Sequence, residues 1–275
     1  MLSTAFAPAN VSLLFTIEEH KNPAKMGSCG FGFTVDGGIT AAVVRNSSKN
    51  EVYFNNVLIS FPSVTTVLDN LGVKPLKVRL LSGLPLGSGF GLSGAAALAT
   101  AYAVNQLLNL KKSNLELAKI AHAADVSNKT GLGDVASQYF GGFCIKTQSS
   151  AQFIIAKKLP FEGKTVYYRI FRPLATKSII TDKTRKQLIN RIGRKIVAQV
   201  AVMTKPTLAQ VFNKGFQFAK EANLLSDQEV IKLIEEIRNG GGAATMIMLG
   251  HGVLSDVPFE KAAKITISDK GAHLL

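Results

Sequence analysis

Short runs of apolar and β-branched residues, broken by turn residues, fill the first eighty positions and predict strands more than helices. Residues 6–16 read as a strand entered through the bend Ala7-Pro8-Ala9, with Leu13 and Phe15 turned to the core. Residues 22–32 hold Lys25, Ser28 and three glycines beside Pro23, the composition of an ordered loop. Residues 31–35 and 39–44 are apolar, and Asp36-Gly37-Gly38 between them predicts a hairpin turn. A second hairpin is expected over 51–60, turning at Asn55-Asn56, then a short helix over 65–71 and a strand over 77–81.

Helical patterning then takes over. Residues 93–109 form an alanine- and leucine-rich helix, and a second runs over 113–127. Ser113 and Glu116 have capping-box spacing, and Leu117, Ile120, Ala121 and Ala124 share one face. Residues 128–143 are glycine-rich at both ends and carry one carboxylate, Asp134. The composition turns polar over 147–151, which places a boundary between a domain of residues 1–148 and one of 149–275. Beyond it, 153–159 and 165–171 read as paired strands turning at Glu162-Gly163. Helices are expected over 182–203 and 206–222, the latter capped by Thr204, and a third, capped by Ser226 with Glu229 three residues on, stops at Gly240. A strand over 245–249, a turn at 250–252 and a strand near 264–267 complete an α+β chain.

The length of 275 residues and a hydrophobic fraction of 47% suffice for a substantial core. The first fifteen residues lack the basic start of a signal peptide, and the longest apolar stretch, 95–108, is too short for a membrane span, so the expected location is the cytoplasm. Cys29 and Cys144 lack metal-ligand spacing and read as buried small hydrophobes in a reducing compartment. His20, His122, His251 and His273 share no metal spacing and read as structural, His122 lying one turn before Asp125. The net charge of +14 invites nucleic-acid binding, yet the basic residues are scattered, with a modest concentration over 177–195 and no interleaved aromatics. A solvated basic face that attracts anionic substrates fits better than a nucleic-acid partner.

The stretch 82–110 carries the chemistry. Gly83, Gly87, Gly89, Gly91 and Gly94 run straight into the alanine-rich helix. Glycines permit left-handed and close-approach backbone, while a helix start offers unpaired N–H groups and positive potential, which together make a socket for phosphate. Gly89-Phe90-Gly91-Leu92-Ser93-Gly94 satisfies the dinucleotide glycine pattern. However, Pro85 separates it from the strand, and Lys111 and Lys112 stand where a ribose-binding acid belongs. No Gly-Lys-Ser/Thr closes a P-loop, and a protein-kinase glycine loop leads into a strand. Glycines that merely permit tight helix–strand packing remain the plainer alternative.

The run Pro85-Leu86-Gly87-Ser88-Gly89-Phe90-Gly91-Leu92-Ser93-Gly94-Ala95-Ala96 resembles the phosphate-binding motif P-x-G-x-G-L-G-S-S-A-A of the GHMP kinases, which include galactokinase, homoserine kinase and mevalonate kinase. Leu92 replaces the first serine of the pair. Ala7-Pro8-Ala9-Asn10 resembles the family's first motif, A-P-G-K, with Asn10 at the lysine position, and Gly240 to Ala244 resembles the third, glycine-rich motif. Gly131-Leu132-Gly133-Asp134 is similar to the segment bearing the family's active-site aspartate. Residues 6–10, 23–33, 130–135 and 243–250 are most similar to the archaeal pantoate kinase branch.

The resemblance implies a two-domain fold, a ribosomal-protein-like N-terminal half and a ferredoxin-like C-terminal half, with ATP and Mg²⁺ as cofactors. It implies that Pro85, Gly87, Ser88, Gly89, Gly91, Leu92, Ser93, Gly94 and Ala95 hold the nucleotide, and that Ser93 binds the metal. Asp125 is the candidate carboxylate ligand, weighed against a solvated helix end, since the family often has Glu there. Asp134, lone in an uncharged glycine-flanked segment, is the candidate base or orienting group, against a turn aspartate capping local N–H groups. Asn10, Lys25, Ser28 and Lys146 are candidates for meeting the substrate, pantoate, whose carboxylate demands a cation or donors. The rival expectations are a relative acting on mevalonate, homoserine or shikimate, and a basic RNA-binding module. A homodimer is also expected.

Overall fold

The computed structural model describes residues 2–46, 48–73, 75–172 and 183–275. Among them two sheets and seven α-helices form a mixed α+β architecture. The larger sheet runs β12-β1-β2-β5-β3-β4, from β1 (Leu2–Phe15), β2 (Gly30–Arg45), β3 (Glu51–Phe54), β4 (Val57–Leu58), β5 (Leu76–Leu81) and β12 (His273–Leu274). Off β2 it continues into β6 (Phe143–Lys146) and β7 (Lys157–Leu159). Strands from both sides of residue 148 therefore share it.

One face of this sheet carries α2 (Leu92–Leu108), which buries thirteen of its seventeen residues. A helix apolar on every side belongs inside a core, and its alanines let strand and helix backbones approach closely. Its outer sides are covered by α1 (Pro62–Asn70) and α3 (Asn114–Ser127). Ser113 caps α3 with the full reciprocal box to Glu116.

The smaller sheet, β11-β8-β10-β9, uses β8 (Thr165–Arg172), β9 (Ala244–Met246), β10 (His251–Ser255) and β11 (Ala263–Thr266). Helices α6 (Leu208–Glu221) and α7 (Gln228–Asn239) join this half, with α6 packing against β9 and β1, while α5 (Lys183–Ala201) packs on α6 and on β1, β2 and β6 of the larger sheet. The core is continuous between the halves: Phe33 stacks on Phe143 and on Phe212 of α6.

Several expectations change. Residues 31–44 do not form a hairpin, because Asp36-Gly37-Gly38 lies inside the uninterrupted β2. Pairing with β1 jumps from Pro8↔Gly38 to Asn10↔Thr34, so the extra residues are accommodated as a bulge that bends the strand without reversing it. Residues 153–159 and 165–171 do not pair: β7 joins β6, whereas β8 lies between β10 and β11. Gly163 does turn, at φ 77°, but the turn carries the chain from one sheet to the other. Thr207, not Thr204, caps α6, and Asp227, not Ser226, caps α7. The expected strand 245–249 ends at Met246, and 251–252 opens β10 where a turn was expected. Helix α4 (Asp134–Phe140) stands where only a glycine-rich segment was read. The expected start at Asp182 and part of the basic stretch from Lys177 lie outside the described residues.

Candidate active site

The glycine loop leaves β5 and closes on α2 through three left-handed glycines, Gly87 (φ 73°), Gly89 (φ 82°) and Gly91 (φ 59°). Gly91 is the N-cap of α2 and has no side chain to cap with, so the first amides of the helix face outward unpaired by it. The loop is held on both sides. From β1, the Asn10 N–H donates to Phe90 C=O at 3.0 Å. From the smaller sheet, the β9–β10 turn presses on it so closely that a Cβ on Gly89 would stand 2.6 Å from Ile247, and one on Gly250 2.5 Å from Ser88 C=O. Ser88 is buried and donates its hydroxyl to Pro85 C=O at 2.5 Å, so that proton tightens the loop. Ser63 of α1 donates to Ser93 C=O, bracing the start of α2.

Facing this loop across a cleft of about 340 Å³ is the segment between α3 and α4. Gly87, Ser88, Gly89, Gly91, Leu92 and Ser93 line one wall together with Asp134, which abuts the loop so closely that a Cβ on Gly91 would stand 2.9 Å from Asp134 Cγ, and Ser28 also lines the cleft. Pro85, Gly94 and Ala95 support the wall from behind: Pro85 is the Ser88 acceptor, and Ala95 N–H closes the first helical turn on Gly91 C=O. Gly94 is required by its surroundings, since a Cβ there would meet Gln138 Oε1 at 2.9 Å and Asp125 Oδ2 at 3.3 Å.

Asp134 opens α4 and accepts from Asn10 Nδ2 at 2.7 Å. Burial pushes its carboxyl above the ordinary range, while the Asn10 hydrogen bond and the charge of Lys146 pull it back. Asp125, on the last turn of α3, is almost wholly buried and accepts from Thr130 Oγ1 at 2.6 Å. Burial pushes it up to about 7; the hydrogen bonds of Thr130 and Ser93 oppose that, and the nearby Asp134 charge adds to it. A Cβ on Gly131 would stand 2.1 Å from Asp125 Oδ2 and 3.1 Å from Asp134 Oδ2, so the two carboxylates flank one glycine. Ser93 and Asp125 are thus together, an oxygen pair of the type a hard divalent cation takes.

The substrate-side candidates separate. Ser28 is buried on the cleft, with its hydroxyl against Gly133, and its N–H donates to Ser150 Oγ. Asn10 is buried behind Asp134, and its Oδ1 has no hydrogen-bond partner among the described residues. Lys146 lies under α4, donating to Gly133 C=O at 3.1 Å and Ser137 Oγ at 2.6 Å, and burial lowers its pKa. It does not line the cleft, nor does the exposed Lys25. His122 is buried and bonded to Met26 C=O, which links α3 to the loop ahead of Ser28.

Sequence reasoning missed Thr130, Gln138 and Lys129. Gln138 Nε2 donates to Gly91 C=O at 2.8 Å, tying α4 to the phosphate loop, and its spacing one turn after Asp134 was the available signal. Lys129 lines the cleft. Among the described residues no helix is long and apolar enough to cross a membrane.

The model of the GHMP kinases N terminal domain matches residues 58–142, which contain the loop, Asp125 and Asp134. A pantoate kinase of Methanocaldococcus jannaschii is 31% identical over 90% of this chain and 89% of its own length. A pantoate kinase of Methanospirillum hungatei JF-1 is 26% identical over 99% of this chain and 96% of its own. A solved structure described as a phosphotransferase related to the CoA biosynthesis pathway superposes with a TM-score of 0.87 at 25% identity, covering 100% of this chain and 98% of that one. On the motif, the carboxylates and nearly full-length similarity, the chain belongs to the GHMP kinase family.

Proposed function

We propose that this phosphotransferase moves the γ-phosphate of ATP to the primary hydroxyl of pantoate, giving 4-phosphopantoate. The observation that carries the reading is the placement of Asp134 between the glycine loop and Ser28, with pantoate kinases as near full-length relatives. The loop amides cradle the polyphosphate. Asp134, held by Asn10, takes the hydroxyl proton as the hydroxyl oxygen bonds the γ-phosphorus. The bond from that phosphorus to the β,γ-bridging oxygen breaks, and its electron pair leaves with ADP.

Mg²⁺ fits the donor set. Asp125 is a buried carboxylate with hydroxyl partners and, among the described residues, no basic residue bonded to it, so its ionised form calls for a cation. Ser93 and Asp125 would hold the ion, which supplies charge neutralisation on the phosphates. Ser28 meets the acceptor. Lys146 keeps the Gly133 carbonyl, and with it Asp134, in place.

The test is a coupled ADP-release assay over a panel of hydroxy acids with Mg²⁺. Pantoate is the preferred acceptor. Phosphorylation of mevalonate, homoserine or shikimate with none of pantoate would overturn the assignment.

A further inference from the structure

Among the described residues, Lys129 is the one basic side chain that lines the cleft. A cleft that receives a polyphosphate beside two carboxylates carries a surplus of negative charge, and one divalent ion bound by Ser93 and Asp125 leaves much of it uncovered. The position where the family motif has a lysine is Asn10, which is neutral and hydrogen-bonded to Asp134. Lys146 spends its donors on Gly133 and Ser137 beneath α4, and Lys25 stands outside the cleft. A cation has to come from elsewhere.

The backbone around Lys129 is pinned. Its own φ is 57°, the left-handed region that side chains other than glycine seldom adopt. The conformation is maintained by its N–H donating to Val126 C=O at 2.9 Å. On one side, Asn128 donates to Thr66 of α1, the helix whose Ser63 braces Ser93. On the other, Thr130 donates to the Asp125 carboxylate. Lys129 therefore hangs between the supports of the two candidate metal ligands and lines the cleft that the glycine loop also lines. Its exposed side chain makes no ion pair among the described residues, so the ammonium is uncommitted.

We propose that Lys129 binds the terminal phosphate of the nucleotide, supplying from the α3–α4 turn the positive charge that Asn10 lacks. The proposal rests on the kinase reading above. It is distinct from a solvated surface lysine, and from a cation for the acceptor's carboxylate.

The test is calorimetric, with the full-length protein and its Lys129→Met and Lys129→Arg variants binding AMP-PNP or ADP in the presence of Mg²⁺. Methionine keeps the length and the same backbone demand as lysine, and equal melting temperatures establish that the fold is intact. Loss of a charged hydrogen bond predicts about tenfold or more weaker AMP-PNP binding in Lys129→Met. ADP binding should change less than about threefold, and Lys129→Arg should retain most of the AMP-PNP affinity. Equal losses for both nucleotides, or none for either, would overturn the proposal. So would an unchanged AMP-PNP affinity accompanied by a raised KM for the acceptor. Wild-type protein that binds neither nucleotide overturns the kinase reading itself, whereas an active wild type with an unaffected Lys129→Met removes Lys129 alone.

Discussion

Asn10 Nδ2 donates to Asp134 Oδ1 at 2.7 Å and ties β1 to the first residue of α4 across 124 positions of sequence. That hydrogen bond favours the ionised carboxylate against the burial that raises it. Asn10→Ala removes the donor, so the Asp134 pKa rises further. A base must be deprotonated to act, and the acid limb of the kcat/KM profile therefore moves to higher pH. Rates measured from pH 5 to 9 check this, and an unmoved limb would separate Asn10 from the titration of Asp134.

Asp134→Asn keeps the shape and an Asn10 partner but cannot accept the hydroxyl proton. The kcat is expected to fall by about 10²- to 10⁴-fold with a small change in KM for ATP. Steady-state kinetics with both substrates varied decide it.

Asp125→Asn is expected to stabilise the free protein while abolishing Mg²⁺-dependent turnover. The sign follows from a folded-state pKa raised to about 7. At low pH both states are protonated and the substitution changes little. As pH rises through the ordinary carboxylate range the unfolded chain ionises first, and native stability falls until the folded group ionises near 7. The penalty grows by about 1.4 kcal/mol per pH unit across that window. Denaturation of both proteins without metal at pH 4 and pH 8 should show the gap only at pH 8.

Gly131→Ala places a Cβ 2.1 Å from Asp125 Oδ2, and the carboxylate or its loop must move. About 1–3 kcal/mol of stability should be lost, together with Mg²⁺ affinity. Isothermal titration with Mg²⁺ and nucleotide reads the second effect.

The cap of α6 gives a control away from the cleft. Thr207→Ala removes a capping box and should cost about 1 kcal/mol. Thr204→Ala, three residues earlier and exposed, should be neutral in the same urea titration.

What was legible in the sequence was local. The glycine loop, the Ser113 box and the Asn55-Asn56 turn, whose residues have φ 47° and 67°, each depend on a few neighbouring residues. What was hidden depends on distant partners. Asp36-Gly37-Gly38 has turn composition, but β1 supplies a continuous partner on either side of it, and the ladder outweighs the local preference. Residues 157–159 pair with β6, and nothing within the segment names that partner. In the site, Asp134 stood out as a lone acid among glycines, and Asp125 was legible only through the family's spacing. Lys129 carries no pattern of its own, and Gln138 offers only its spacing one turn after Asp134, because the roles of both come from distant partners.

The contact between Gly89 and the β9–β10 turn leaves no room for even a methyl group. The shape of the nucleotide loop is consequently a joint property of two distant stretches of chain, residues 82–91 and 247–250. Grafting the loop onto another scaffold would transfer its letters without its clamp. Drift in either stretch is permitted only where the other compensates, so substitutions at Ile247, Met248 and Leu249 should tune nucleotide affinity as directly as substitutions in the loop itself.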